Sequence, residues 1–148
     1  MSRMAEASST ISAPPELVLE QFLSVPAMCE WWGAARGLVE PRTGGAWAMA
    51  WDESSDGYRH VSAGIVADLV PAARLVLESF LYFHPGRPVL GPTRVEIRAE
   101  WLEMGTLLRV RQEGFGEGAD WDWYHDVVVK GWPAALEAVQ RSLEARGA

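Results

Sequence analysis

The hydrophobic pattern at the start of the chain predicts one strand followed by two short helices. Residues 4–12 have an irregular pattern that fits a short strand. Pro14 and Pro15 suit the first turn of a helix, and Glu16 lies where the positive end of the helix dipole favours an acid. Pro26 ends this helix and begins a second short one, which carries Cys29, Trp31 and Trp32.

From residue 36 the apolar period changes from about 3.6 to about 2, which predicts a series of strands. The predicted strands are Gly37–Arg42, Ala46–Trp51, 58–69, Arg74–Phe83 and a hairpin over 93–113. In the hairpin, a turn centred on Met104 and Gly105 would pair Trp101 with Leu108 and place Glu100 opposite Arg109.

The strand over residues 74–83 is apolar on both faces, so its orientation must be inferred. Glu78 favours an outward-facing set that includes Phe80 and Tyr82, with Leu77 and Ser79 inward. Exposed aromatic side chains often mark an interface, so Phe80 and Tyr82 predict a possible homodimer. The alternative is that a loop of the same chain covers Phe80 and Tyr82.

A long helix is predicted from Asp120 to about Glu144. Its expected inner face consists of Trp121, His125, Val128, Trp132, Leu136, Val139 and Leu143. Pro133 removes one backbone hydrogen bond and should bend the helix. Upstream of that bend, Tyr124 is the alternative to His125 on the inner face.

Together the elements predict an α+β fold in one domain over residues 1–148. One curved antiparallel sheet of about six or seven strands wraps around the long C-terminal helix, with two short helices after the first strand. The last helix is the one predicted element long enough to cover the apolar face of the sheet.

Composition excludes several partners and compartments. The net charge of −7, with a single lysine, argues against binding nucleic acid or an anionic membrane surface. The single cysteine, Cys29, cannot form an intrachain disulfide, and the first ten residues lack the apolar core of a signal peptide. We therefore expect a cytoplasmic protein with no membrane span.

A set of motifs resembles one known family. In order they are Ala13-Pro14-Pro15-Glu16, Trp31-Trp32, Gly44-Gly45-Ala46-Trp47, Gly64-Ile65-Val66, Pro71 with Arg74-Leu75-Val76, Gly105-Thr106, Gly114-Phe115 and Gly131-Trp132. From about residue 9 to 145 the chain resembles the activator of heat-shock protein 90 ATPase homologue family, within the START-like (SRPBCC) superfamily.

The resemblance implies a helix-grip fold with a cavity between the sheet and the C-terminal helix. Superfamily members bind lipids, hormones or polyketides there, and a minority are cyclases. In this sequence Gln112 occupies a position where many relatives carry a histidine, so a histidine-dependent activity at that position is not implied.

Eight tryptophans in 148 residues suggest that the interior has aromatic walls. Our leading hypothesis is a binding domain for a small hydrophobic or aromatic molecule, without catalysis. The predicted ligand-binding residues are Trp32, Trp47, Met49, Trp51, Leu77, Ser79, Trp101, Gln112, Tyr124, His125 and Val128. The alternative is that these side chains only fill the core.

Two other functions remain open at this stage. A polyketide cyclase or aromatase would use His125 as acid–base, with Asp122 and Asp126 beside it. The family resemblance also implies a protein-interaction module that regulates a chaperone ATPase. The acids near His125 suit the first helical turn in any case, and no second cluster completes a metal site, so we predict neither metal nor cofactor.

Overall fold

The computed structural model describes residues 3–147 as an antiparallel sheet and three helices. The strands are β1 (Met4–Ile11), β2 (Arg36–Val39), β3 (Ala46–Ser54), β4 (Gly57–Val70), β5 (Arg74–Phe83), β6 (Leu90–Leu102) and β7 (Gly105–Glu113). The helices are α1 (Pro15–Glu20), α2 (Val25–Trp31) and α3 (Ala119–Arg146).

The seven strands form one sheet in the order β1-β7-β6-β5-β4-β3-β2, and every neighbouring pair is antiparallel. Helix α3 lies against the inner face of this sheet, and the apolar side chains between the two form the core. The predicted helix-grip architecture is confirmed, including the two short helices after β1. No helix within residues 3–147 combines the length and apolar character needed to cross a membrane.

The predicted orientation of β5 is wrong beyond Leu77, because the strand contains a bulge. Ser79 has φ of 51°, and the pairing of β5 with β6 shifts register between Leu77 and Phe80. The extra residue reverses the alternation of faces, as a bulge does. Ser79 is therefore exposed, whereas Phe80 and Tyr82 are 5% and 8% exposed and face the interior. The outward-facing aromatic surface on which the homodimer prediction rested does not exist.

The hairpin of β6 and β7 has a different register from the predicted one. Its turn is centred on Glu103 and Met104, so Trp101 pairs with Thr106 and Arg109 lies opposite Arg98. The pairing differs from the predicted one by two residues. Because side chains alternate with period two, such a shift keeps each residue on its predicted face.

The inner face of α3 follows one continuous helical phase through Pro133. Its buried residues are Tyr124, Val128, Trp132, Ala135, Leu136, Val139 and Leu143. Stepping back four residues at a time from Trp132 reaches Val128 and then Tyr124, so Tyr124 occupies the inner position and His125 does not. The imidazole of His125 instead donates from Nε2 to the carbonyl oxygen of Met4 in β1, over 3.1 Å.

Candidate functional site

A cavity of about 330 Å³ lies between the inner face of the sheet and the N-terminal half of α3. The strands β3, β4, β5 and β7 form its floor, α2 ends at one side, and α3 covers it. The lining residues are Trp32, Trp51, His60, Ser62, Phe80, Tyr82, Gln112, Tyr124, Val127, Val128, Gly131 and Trp132. This volume lies at the low end of the range for small-molecule sites.

Packed tryptophans form one side of the cavity. The ring of Trp32 stacks on Trp31, with centroids 4.8 Å apart and an interplanar angle of 8°. It also contacts Trp51 edge-on at 5.2 Å and Trp132 at 5.7 Å. The indole N–H of Trp51 donates to the carbonyl oxygen of Trp32 over 3.3 Å. These contacts fix the ring orientations, so the wall is preorganised.

Gln112 is the centre of a buried polar network at the base of the cavity. Its amide nitrogen donates to Thr93 Oγ1 and to the Tyr124 hydroxyl, each over 3.0 Å. Its amide oxygen accepts from the indole N–H of Trp132 over 2.9 Å. One residue on β7 thus links β6 to two turns of α3 and keeps its own polar atoms paired while only 1% exposed.

A second polar group lies on the β3–β5 side of the cavity. Nδ1 of His60 is 2.7 Å from the hydroxyl oxygen of Tyr82, and both residues line the cavity. On the far side of the imidazole, Nε2 lies 3.6 Å from Oδ2 of the exposed Asp52. Antiparallel pairing brings these side chains together, since His60 lies opposite Trp51 and Tyr82 lies opposite Ser62.

Burial keeps the titratable groups of the cavity uncharged at neutral pH. Burial lowers the pKa of His60 below 6.5, and the electrostatic influence of His84 lowers it further. Burial also raises the pKa of Tyr82 and, more strongly, the pKa of Tyr124. With no lysine, arginine or carboxylate in its lining, the cavity offers no charge to an ionic ligand.

The loop between β5 and β6 packs against the start of α3. Arg87 places its guanidinium carbon 3.8 Å from the centre of a Trp123 ring and pairs with Asp120 at 2.9 Å. Asp122 pairs with Arg3 at 2.8 Å. Asp120 and Asp122, at the start of α3, therefore hold this helix to neighbouring elements.

The structure divides the predicted site residues into three groups. Trp32, Trp51, Gln112, Tyr124 and Val128 line the cavity. Trp47, Met49 and Leu77 are buried in the core and contribute no lining surface. Ser79, Trp101 and His125 lie away from the cavity. The positions of Ser79, Trp101 and His125 therefore do not support a role in ligand binding.

Each of these three misplacements has a local cause. The bulge turns Ser79 outward, and the continuous phase of α3 turns His125 toward β1. Trp101 is 66% exposed, because it lies beside the β6–β7 turn, beyond the part of the sheet that α3 covers. Of the predicted ligand-binding residues Trp47, Trp51 and Trp101, Trp51 alone lines the cavity.

Sequence reasoning missed several lining residues, of which His60, Phe80 and Tyr82 matter most. Phe80 and Tyr82 were assigned to the wrong face because the bulge carries no glycine to signal it. His60 has no nearby partner in the sequence; its partners, Tyr82 and Asp52, follow only from strand register. Trp132 was predicted on the inner face of α3 but not in the ligand set.

The lowered pKa of His60 predicts a specific pH dependence of stability. Because the folded state takes up the proton less readily than the unfolded state, His60 stabilises the fold above pH 6.5, and this contribution is lost as the pH falls toward the folded pKa. Asp52 opposes the shift, and Arg59 adds to it. Thermal melts of wild type and His60→Gln between about pH 7.5 and 5.5 should show a steeper loss of Tm in the wild type. Parallel pH profiles would contradict the assignment.

Comparison with known proteins adds the following. A family model described as Activator of Hsp90 ATPase homolog 1-like protein matches residues 12–144. A crystal structure of a Mesorhizobium loti protein superposes with a TM-score of 0.75 at 20% identity, over 97% of this chain and 98% of that one. A Rhizobium leguminosarum protein superposes with a TM-score of 0.79 at 18% identity, over 98% and 96% of the two chains.

A protein from the dynemicin biosynthetic locus has a TM-score of 0.69 at 19% identity, over 95% of this chain and 47% of that one. At such identities the solved structures establish the fold alone. No curated protein matches the sequence significantly.

Proposed function

Because the chain belongs to the family of Activator of Hsp90 ATPase homolog 1-like proteins, we propose that it binds a small, flat, hydrophobic or aromatic molecule in the cavity between its sheet and α3. Proteins of this fold commonly bind hydrophobic ligands. The observation that carries the proposal is the cavity itself: about 330 Å³ in volume, with a wall of orientated tryptophans.

The energetics of the cavity favour an occupant. The cavity is partly open to solvent, so water fills it when no ligand is bound. Walls made mostly of indole and phenol rings offer that water few hydrogen bonds. An apolar ring that displaces such water gains affinity.

The shape and polarity of the cavity limit the kinds of molecule that can bind in it. The aromatic rings on its walls favour a planar partner that can stack or meet them edge-on. Because no charged side chain lines the cavity, a neutral molecule fits and a strongly ionic one does not.

The alternative functions receive less support. The cyclase hypothesis relied on His125, whose side chain faces β1 and lies outside the cavity lining. Regulation of a chaperone ATPase stays a prediction from the resemblance.

Titration of the protein with small aromatic compounds tests the proposal. Since Trp32, Trp51 and Trp132 line the cavity, a ligand that enters it should quench or shift tryptophan emission with saturation in the micromolar range, about −7 to −8 kcal/mol. Native mass spectrometry should show a 1:1 complex. A broad panel that gives neither saturation nor a complex would refute ligand binding.

A further inference from the structure

The hydrogen bond between Tyr82 and His60 is directional, and its direction determines what the cavity can recognise. The imidazole has two neighbours: Asp52 Oδ2 at 3.6 Å from Nε2, and the Tyr82 hydroxyl at 2.7 Å from Nδ1. A neutral imidazole carries its hydrogen on only one nitrogen, and the other nitrogen is an acceptor.

The Asp52 carboxylate favours one of the two tautomers of His60. An ionised carboxylate has only acceptor sites, so a hydrogen on Nε2 is attracted to it, whereas a bare Nε2 would be repelled. The carboxylate thus favours the tautomer with the hydrogen on Nε2, in which Nδ1 accepts. The Tyr82 hydroxyl must then donate to Nδ1, and this uses its single hydrogen.

The phenolic oxygen of Tyr82 can then only accept a further hydrogen bond. No second hydrogen-bond donor reaches its phenolic oxygen from elsewhere in residues 3–147. Tyr82 is 8% exposed and lines the cavity, so a ligand in the cavity is the partner available to its free lone pairs. The Ser62 hydroxyl nearby can donate or accept and so does not set a preference.

The backbone at Asp52 lies in the left-handed region, with φ of 57°. Aspartate and asparagine adopt this conformation more readily than other non-glycine residues.

We propose that the ligand is an aromatic molecule bearing a hydroxyl or amino group, which donates a hydrogen bond to the phenolic oxygen of Tyr82. His60 and Asp52 act as positioning residues that keep this oxygen an acceptor. The inference rests on the proposed function, because it names the ligand class of the same cavity.

Three bicyclic probes separate the possibilities: naphthalene, 2-naphthol and 2-methoxynaphthalene. They share one ring system, but only 2-naphthol can donate, and 2-methoxynaphthalene can only accept. Equilibrium dialysis with wild type should show 2-naphthol bound about fivefold or more tighter than 2-methoxynaphthalene, as expected for one additional hydrogen bond.

Two variants test whether the preference for 2-naphthol over 2-methoxynaphthalene depends on Tyr82 and Asp52. Tyr82→Phe should remove the preference for 2-naphthol over 2-methoxynaphthalene, because the phenolic oxygen that accepts the hydrogen bond is gone. Asp52→Asn should shrink the difference between 2-naphthol and 2-methoxynaphthalene, since an amide can donate to Nε2 and reverse the tautomer. Asparagine tolerates the left-handed conformation, so this variant should fold, as circular dichroism would verify.

The outcomes separate this inference from the proposed function. Naphthalene binding without a preference for 2-naphthol, or a preference that survives Tyr82→Phe, overturns the inference and leaves the proposed function intact. If none of the three probes binds, both fail.

Discussion

Replacing Gln112 with methionine should lower the free energy of unfolding by about 2–6 kcal/mol. The change removes all three hydrogen bonds of the network and leaves the Trp132 indole N–H and the Tyr124 hydroxyl without this partner, whereas the Thr93 hydroxyl keeps its hydrogen bond to the Phe80 carbonyl oxygen. Each buried polar group that loses its partner costs about 1–3 kcal/mol, whereas the similar length of methionine keeps the packing loss small. Chemical denaturation monitored by circular dichroism measures the effect.

Gln140 provides a matched control within the same fold. It is a half-buried glutamine on α3 whose hydrogen bonds go to Ser9 and Glu144 at the protein surface. Water can replace those bonds, so Gln140→Met should cost less than about 1 kcal/mol. Equal losses in the two variants would show that the Gln112 network does not hold α3 on the sheet.

Replacing Gly131 with phenylalanine should strongly weaken ligand binding while the fold remains stable. Gly131 lines the cavity from α3, and a Cβ atom built there meets nothing within 4 Å. A phenyl ring at this position occupies space that the ligand needs, so affinity should fall by at least about tenfold. Phenylalanine has a somewhat higher helix propensity than glycine, so the substitution should itself stabilise the helix by less than about 0.5 kcal/mol. Dialysis with naphthalene and thermal melts measure the two effects.

Gly131→Ala is the control for this variant. It gives the same kind of helix stabilisation with a single methyl group, so binding should persist. Unchanged binding in the phenylalanine variant would place the ligand elsewhere on the protein. Equal loss in the alanine variant would indicate a backbone effect rather than occupation of the cavity.

The fold could be predicted because its signals are local and repeated. The change of period at residue 36 and the long apolar stripe of α3 each specify an element, and one sheet with one long helix leaves few ways to bury both apolar faces. The family motifs then supported the same architecture.

The site could be predicted only in part, because its geometry depends on single-residue events. A bulge at Ser79, in a strand that is apolar on both faces, exchanges Ser79 for Phe80 and Tyr82 on the cavity wall. No glycine marks that position, so the alternating pattern gave the opposite answer. His125 was misplaced for a related reason, since its assignment required the helical phase upstream of Pro133.

The polar centre of the site arises from strand register, which sequence alone does not supply. His60 gains its partners only because β3 and β5 flank β4. Gln112, by contrast, was correctly expected inside, since it continues the inward alternation of β7. A polar residue in such a pattern is informative, because burial obliges it to find partners.

A crystal structure with bound 2-bromonaphthalene tests the central claim most directly, since the anomalous signal of bromine locates the ligand without ambiguity. The account predicts one strong bromine peak inside the cavity, with the rings between Trp32, Tyr82 and Trp132. A peak found only outside it, for example beside the exposed Trp101, or no peak at saturating ligand, would contradict the account.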